Sequence, residues 1–313
     1  MINLIQRVAI IGGTHGNELT GIYLVKKFQR SPILIQRPSF ESITLLANPE
    51  AIAANRRYID RDLNRCFSHA DLVNPALTGY EDWQAKAIAQ KLRPKNQPKV
   101  DVILDLHSTT ANMGVTLILS TKHLFNLQLA AYLNEIYPHI RICFDIECDR
   151  ESPRLRSLCP WGCTIEVGAI PQNTLDAQLF QQTETLIHSI LDYLEAYNLG
   201  HLPPISDQLE VYQAIGSVDY PRNLAGELQA AIHPKLQGRD YEPLHPGDSM
   251  FLTWDGDSIS YQGKSIAFPV FVNEAAYYEK GIAMVLTQKQ LLRIEPAFAE
   301  GHYSDRGSQK WAG

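Results

Sequence analysis

The sequence has no long hydrophobic run. Its 313 residues contain no stretch that approaches the ~20 apolar residues of a membrane-spanning helix. The first seven residues also lack the basic segment followed by an apolar segment that is typical of a secretory signal peptide. These two absences predict a soluble protein that works in the cytoplasm and does not bind membranes.

Positive charge is also scarce. Lys and Arg number 28 against 34 Asp and Glu, the net charge is −6, and the charges are interspersed along the chain. No basic stripe of the kind that binds nucleic acid is present. A nucleic-acid partner is therefore not expected, and an anionic substrate would have to be attracted by local arginines.

Cysteines are few and odd in number, which argues against a disulfide framework. Their spacing does not match the usual pairing of a four-thiolate zinc site, so we expect free, partly buried thiols. The five are Cys66, Cys143, Cys148, Cys159 and Cys163.

Several catalytic and binding motifs are missing. The sequence has no Gly-x-Ser-x-Gly nucleophile elbow and no cysteine at a helix start with an evident histidine partner. The stretch IGGTHGNELTG, residues 11–21, is rich in glycine, but Gly12, Gly13 and Gly16 fit neither the dinucleotide pattern nor the phosphate-loop pattern. A tight turn explains these glycines, but it does not require His15 or Glu18.

The patterns that are present alternate between strand and helix over the first 200 residues. Buried strands are predicted at residues 8–11, 43–46, 100–106, 115–119 and 164–167, and helices at residues 19–28, 124–137 and 175–197. Such alternation is typical of an α/β fold with a mostly parallel sheet flanked by helices. Two prolines then interrupt the pattern, and turn dipeptides predict a smaller β-rich domain. We therefore predict domains at residues 1–200 and 201–313.

A metal site is predicted where the first and third strands end. His15 and Glu18 lie three residues apart, in a loop entering a helix, and can converge on one ion. Catalytic zinc often takes two histidines and one carboxylate from the protein. His107 is the third candidate because it ends a predicted strand at the same edge of the sheet. Alternation places Asp105 on the same face, where it would orient His107.

Arginines and one buried acid complete the candidate chemistry. The stretch RRYIDRDLNR, residues 56–65, has two interpretations. One is a solvated loop in which Asp60 and Asp62 balance the charge of the arginines. The other is a source of arginines that bind substrate carboxylates and stabilise an oxyanion. Glu166 lies inside the apolar strand CTIEVG, where burial would raise its pKa toward neutrality and suit it to moving protons.

With these residues assembled, the sequence resembles the aspartoacylase/succinylglutamate desuccinylase family of zinc hydrolases. The resemblance covers nearly the whole chain, through IGGTHGNELTG, RYIDRDLNR, DLHSTTANMG, IEVG, VDYPR, LHPGD and PVFVNEAAYYEK. It implies a carboxypeptidase-like α/β domain and a C-terminal domain that contributes to the substrate pocket. The family often forms dimers, so a homodimer is compatible with the resemblance, and the sequence leaves the oligomeric state open.

The resemblance also implies roles for individual residues. One zinc per chain would be bound by His15, Glu18 and His107. Glu166 would be the base that activates water and later protonates the leaving amine, and Arg57 would polarise the acyl carbonyl. Asn64, Arg65 and Arg156 would hold substrate carboxylates, and Tyr277 from the C-terminal domain would close the pocket. Ser152 stands where the family has a tyrosine, which would loosen one carboxylate contact.

The expected activity is deacetylation of N-acetyl-L-aspartate to acetate and aspartate. Two alternatives remain open. One is a related deacylase for other N-acyl amino acids, such as aromatic ones, mercapturates or succinylglutamate. The other is a metal-free binding protein on the same scaffold.

Overall fold

In the described part of the chain, a mixed sheet of nine strands is the main structural element. The computed structural model describes residues 4–92, 99–119, 121–145, 152–159 and 161–294. The strands of the described part are β1 Arg7–Gly12, β2 Glu41–Leu46, β3 Val102–Ser108, β4 Gly114–Leu119, β5 Arg141–Phe144, β6 Trp161–Gly168, β7 Gln208–Val218, β8 Ala230–Ile232, β9 Ser249–Thr253, β10 Ser258–Ser260, β11 Phe268–Val270 and β12 Met284–Arg293. The α-helices are α1 Leu19–Arg30, α2 Pro49–Ala54, α3 His69–Val73, α4 Tyr80–Leu92, α5 Leu124–Ile136 and α6 Ala177–Leu199.

The strand order of the large sheet is β11-β12-β7-β5-β4-β6-β3-β1-β2. The parallel strand pairs are β1–β2, β1–β3, β3–β6, β4–β5 and β5–β7. The antiparallel pairs are β4–β6, β7–β12 and β11–β12. The predicted mostly parallel sheet is therefore confirmed, with antiparallel pairs added at its centre and at one side.

Both faces of this sheet are covered because successive strand residues point to opposite sides. Val8 and Ile10 pack with α1, α5 and α6 in the larger hydrophobic cluster. Ala9 and Ile11 pack with α4 and the turn Leu155–Leu158 in a second cluster. Continuous burial of β1 thus follows from its unbroken apolar sequence, as expected for a parallel strand covered on both faces.

The C-terminal part of the chain is rich in strands, as its turn dipeptides predict. Three of its strands, β7, β12 and β11, extend the large sheet, while β8, β9 and β10 form a separate antiparallel sheet. The separate sheet has a hydrophobic cluster of its own around Tyr220, Leu236 and Phe251. The prediction for residues 201–313 falls partly on residues 295–313, which lie outside the described residues.

The topology brings three strand ends to one edge of the sheet. In the order β6-β3-β1 the strands are parallel neighbours, with Gly12 beside Leu106 and His107 beside Glu166. The loop after β1 and the ends of β3 and β6 therefore meet at the same place. Within the described residues, no helix combines the length and the apolar character that crossing a membrane requires.

Candidate active site

The loop after β1 is shaped by its glycines. Gly13 has a φ of +69°, a conformation that L side chains rarely adopt. Gly16 packs directly against the backbone of α2, since an added Cβ would lie 2.2 Å from the carbonyl carbon of Ala51. Gly13 thus allows the chain to turn after β1, and Gly16 allows the loop that carries His15 to approach α2 closely.

We expect the Gly16→Ala variant to be destabilised by about 2–3 kcal/mol, because its methyl group meets immobile backbone rather than a flexible side chain. Urea unfolding measures this change. Gly216→Ala is the matched control, since no heavy atom lies within 4 Å of the added methyl group there. Equal stability of the two variants would show that the close packing of Gly16 is unimportant.

Three buried side chains converge at this edge. The Nδ1 atom of His15 lies 2.6 Å from Glu18 Oε1, and the Nδ1 atom of His107 lies 3.0 Å from Glu18 Oε2. The two Nδ1 atoms are 3.2 Å apart. Among the described residues, these three form the one group of His, Cys, Asp and Glu side chains with the spacing of a metal site.

The other ring nitrogens show that this cluster suits a cation. Nε2 of His15 lies 2.9 Å from Asp62, and Nε2 of His107 lies 2.8 Å from Asp105. A histidine that donates Nε2–H to a carboxylate carries a lone pair on Nδ1 when it is neutral. Two lone pairs and the Glu18 carboxylate then face each other, and a divalent cation would offset their repulsion. Two histidines and one carboxylate are a donor set that fits zinc.

Glu166 lies beside these side chains, near the end of β6. Burial, together with the charges of Glu18 and Glu274, raises the pKa of Glu166 to about 8, although His107 acts in the opposite direction. The prediction that its surroundings would raise this pKa agrees in direction. Glu166 is therefore suited to gaining and losing a proton near neutral pH.

Arg57 and Arg65 come from the stretch RRYIDRDLNR and line the same pocket. Nη1 of Arg57 donates to Glu18 at 3.1 Å, while its buried Nε atom has no hydrogen-bond partner in the described part of the chain. Arg65 donates to the carbonyl oxygen of Asn64, and no carboxylate of the described residues lies within 4.0 Å of its guanidinium. Both arginines can therefore donate to an anionic ligand.

The interpretation of this stretch as a solvated, charge-balanced loop is wrong for Asp62. Asp62 is buried, contacts His15, and lies 2.5 Å from Nζ of Lys280. Burial acts to raise its pKa, but His15, Arg57 and Lys280 outweigh burial and hold that pKa far below its ordinary value. Asp62 therefore orients His15 as Asp105 orients His107.

Arg156 is buried. The family resemblance assigns it to a substrate carboxylate, but in the structure it contacts a carboxylate of the protein itself. Its Nη1 atom donates to Thr164 at 3.0 Å and its Nη2 atom donates to Asp145 at 2.5 Å. Asp145 also accepts from Arg154, through both of its carboxylate oxygens. Ser152 is not among the residues that line the pocket, although it is buried. The side chain that pairs with Arg156 at this end of the pocket is thus Asp145, and Ser152 does not take part.

The other side of the pocket is lined by a segment of the second domain, through Phe271, Glu274, Ala276 and Tyr277. The Glu274 carboxylate accepts hydrogen bonds from the loop that follows β3, including the backbone N–H of Thr110 at 2.7 Å and that of Ala111 at 3.3 Å. Its other oxygen accepts from Ala276 and so caps the short 3₁₀-helix Ala275–Lys280. This helix carries Tyr277, whose pKa burial raises to about 12.

All nine residues that the sequence predicts for the site line one pocket: His15, Glu18, Arg57, Asn64, Arg65, His107, Arg156, Glu166 and Tyr277. Beside it lies a side chamber of about 360 Å³, which we define by its apolar walls Phe144, Ala214, Val270, Phe271, Ile282 and Val285. Six residues line both spaces: Arg65, Ile118, Asp145, Arg154, Phe271 and Tyr277.

Sequence reasoning missed four residues of this site, namely Asp62, Asp145, Arg154 and Glu274. The need for a carboxylate behind His15, by analogy with Asp105, was a signal that could have pointed to Asp62. Glu274 is placed by contacts with the loop after β3, which is distant in the sequence, whereas Asp145 and Arg154 pair with each other and Asp145 also contacts Gln213 of β7.

The fold and the pocket define an α/β protein whose site suits metal-assisted hydrolysis. Residues 5–194 match the model of the succinylglutamate desuccinylase/aspartoacylase catalytic domain, and residues 207–289 match that of the AstE/AspA barrel-sandwich hybrid domain. The chain therefore belongs to this family and is a hydrolase of amide bonds.

Three similar proteins illustrate the range of the family. A probable aspartoacylase from Nostoc sp. is 56% identical over 93% of this chain and 99% of its own length. A human N-acyl-aromatic-L-amino acid amidohydrolase (carboxylate-forming) is 41% identical over 91% of each chain. The crystal structure of murine aminoacylase 3 superposes with a TM-score of 0.89 at 41% identity, covering 94% of this chain and 98% of that chain.

Proposed function

We propose that this protein is a zinc-dependent deacylase that hydrolyses N-acetyl-L-aspartate to acetate and L-aspartate. The observation that carries the proposal is the buried cluster of His15, Glu18 and His107 beside Glu166 and several arginines. The similarity to a probable aspartoacylase supports the choice of substrate. Buried free thiols at Cys66 and Cys163 support the proposal that it works in the reducing cytoplasm, while Cys148 lies outside the described residues.

His15, Glu18 and His107 would hold one zinc ion. Zinc bound there would supply the Lewis acidity that activates water and polarises the acyl carbonyl. Arg57 would donate to the acyl oxygen as that atom gains negative charge. Arg65 and Asn64 would hold one substrate carboxylate, Arg156 would face the other, and Tyr277 would close the pocket.

Glu166 would move the proton during the reaction. It would accept a proton from water as the water oxygen bonds to the acyl carbon. It would then give that proton to the nitrogen as the C–N bond breaks, which releases acetate and the free amine. The same carboxyl group thus acts first as base and then as acid.

A second candidate substrate class is N-acyl amino acids with uncharged side chains. The side chamber favours it, because its walls are largely apolar and it opens beside the arginines. The similarity to an N-acyl-aromatic-L-amino acid amidohydrolase agrees with this class. The test is a panel of N-acetyl amino acids assayed for acetate release. The proposed function requires activity on N-acetyl-L-aspartate, so a panel without that activity would contradict it. Acetate release from the uncharged substrates alone would favour the second class instead.

The pH dependence should report Glu166. Because its pKa is raised, Glu166 is protonated at acidic pH, and kcat/KM should rise as pH rises through that pKa. We expect a midpoint between about 5 and 8, above the ~4.3 of an ordinary glutamate. A pH profile measures it, with zinc content determined at each pH to exclude loss of metal. A profile that is flat between pH 5 and 9 would contradict this role of Glu166.

A further inference from the structure

Asp145 is a carboxylate of the protein placed where a substrate carboxylate would bind. It lies directly after β5, and its backbone oxygen accepts a hydrogen bond from Gln213 of the neighbouring strand β7 at 3.0 Å. Its side chain lines both the pocket and the side chamber. Its position is therefore fixed by the sheet, at the boundary of the two spaces.

The contacts of Asp145 resemble those of a bound anion. Arg154 grips it in a forked arrangement, with Nη2 2.9 Å from Oδ1 and Nε 2.5 Å from Oδ2. Nη2 of Arg156 donates to Oδ2 at 2.5 Å. This is the geometry in which guanidinium groups bind carboxylates.

Asp145 is charged in the folded protein. Burial acts to raise its pKa, but Arg154 and Arg156 outweigh burial and lower that pKa. One negative charge of the chain thus offsets part of the positive charge at this end of the pocket. Arg65, by contrast, has no such partner within 4.0 Å in the described ranges.

We infer that Asp145 is a specificity-determining residue: it competes with the side-chain carboxylate of a substrate for Arg154 and Arg156. This inference rests on the proposed function and deepens it. The carboxylate next to the amide nitrogen meets Arg65, which has no ion-pair partner among the described residues. The side-chain carboxylate of N-acetyl-L-aspartate has to displace Asp145, whereas an uncharged side chain enters the side chamber without doing so. The enzyme therefore accepts both kinds of substrate and prefers the dicarboxylate only weakly.

The test compares N-acetyl-L-aspartate with N-acetyl-L-asparagine, which has nearly the same shape but no side-chain charge. The measured quantity is the ratio of kcat/KM for N-acetyl-L-aspartate to kcat/KM for N-acetyl-L-asparagine. In the zinc-loaded Asp145→Asn variant this ratio should rise at least about tenfold, mainly through a lower KM for N-acetyl-L-aspartate. Such a rise is expected when a charge-assisted contact becomes available to the substrate. Asp192→Asn is the control, since it also removes one negative charge. Asp192 is exposed and pairs with Arg37, and neither residue lines the pocket or the side chamber. An unchanged ratio in Asp145→Asn, or a ratio that rises equally in Asp192→Asn, would overturn the inference.

A binding measurement on the wild-type zinc enzyme makes the test independent of the variant's folding and of catalysis. Titration calorimetry with L-aspartate and L-asparagine should give dissociation constants that differ less than about tenfold, because Asp145 offsets the benefit of the extra charge. A preference for L-aspartate of tenfold or more would overturn the inference. If no N-acyl amino acid is hydrolysed, the proposed function fails, while this binding ratio still decides the role of Asp145.

Discussion

The Glu166→Gln variant should lose activity by a factor of about 10²–10⁴, the usual contribution of a general base. Glutamine keeps the size of the side chain but cannot accept a proton from water. Glu166 is buried at the edge where His15 and His107 meet, and its raised pKa suits proton transfer near neutral pH. The loss should appear in kcat, because no carboxylate-binding arginine is changed. Steady-state kinetics on N-acetyl-L-aspartate measures it.

Zinc content and thermal stability should stay near wild-type values in this variant, since Glu166 is not one of the three proposed ligands. Glu135→Gln, on the exposed face of α5, is the matched control and should keep full activity. A loss of less than about tenfold in Glu166→Gln would assign the proton transfer to another group.

The His107→Ala variant should bind no zinc and should have no measurable activity. Removing one of three protein ligands leaves an incomplete site, and the Asp105 carboxylate behind His107 loses its partner. A ligand that binds only the folded state stabilises it by about 4 kcal/mol at a concentration 1,000 times its dissociation constant. Added zinc should therefore raise the Tm of the metal-free wild type and leave that of His107→Ala unchanged.

His201→Ala is the control, since His201 is exposed at the end of α6 and away from the pocket. It should bind zinc, respond to zinc in thermal unfolding and keep its activity. If His107→Ala retained one zinc per chain, the assignment of the three ligands would be wrong.

The sequence was sufficient to predict how the candidate site assembles, because that depends on local patterns. His15 and Glu18 follow β1 directly, and His107 and Glu166 lie near the ends of β3 and β6. In a mostly parallel sheet such strand ends meet at one edge, so alternation of strands and helices placed these side chains together. The stretch at residues 56–65 pointed to Arg57 and Arg65, but the family resemblance supplied their individual roles and added Arg156 and Tyr277, whose proximity does not follow from spacing.

The contacts that organise the site around these residues could not be predicted. Asp62 lies 47 residues from His15 in the sequence and 218 from Lys280, and a run of alternating charges normally indicates a solvated loop. The pairing of Asp145 with Arg154 and Arg156 depends on how the turn Leu155–Leu158 packs against β3 and β6, and on the position of Asp145 directly after β5. Glu274 reaches the loop after β3 from more than 160 residues away. Each of these contacts depends on tertiary packing, which residue spacing does not report.

The central claim is tested most directly by acetate release from N-acetyl-L-aspartate in a cycle of metal removal and return. The purified wild type should contain one zinc per chain and release acetate. It should lose that activity when a chelator removes the zinc, and regain it when one equivalent of zinc is added back. Undiminished activity in protein shown to contain no metal, or no acetate release from zinc-loaded protein, would contradict the account.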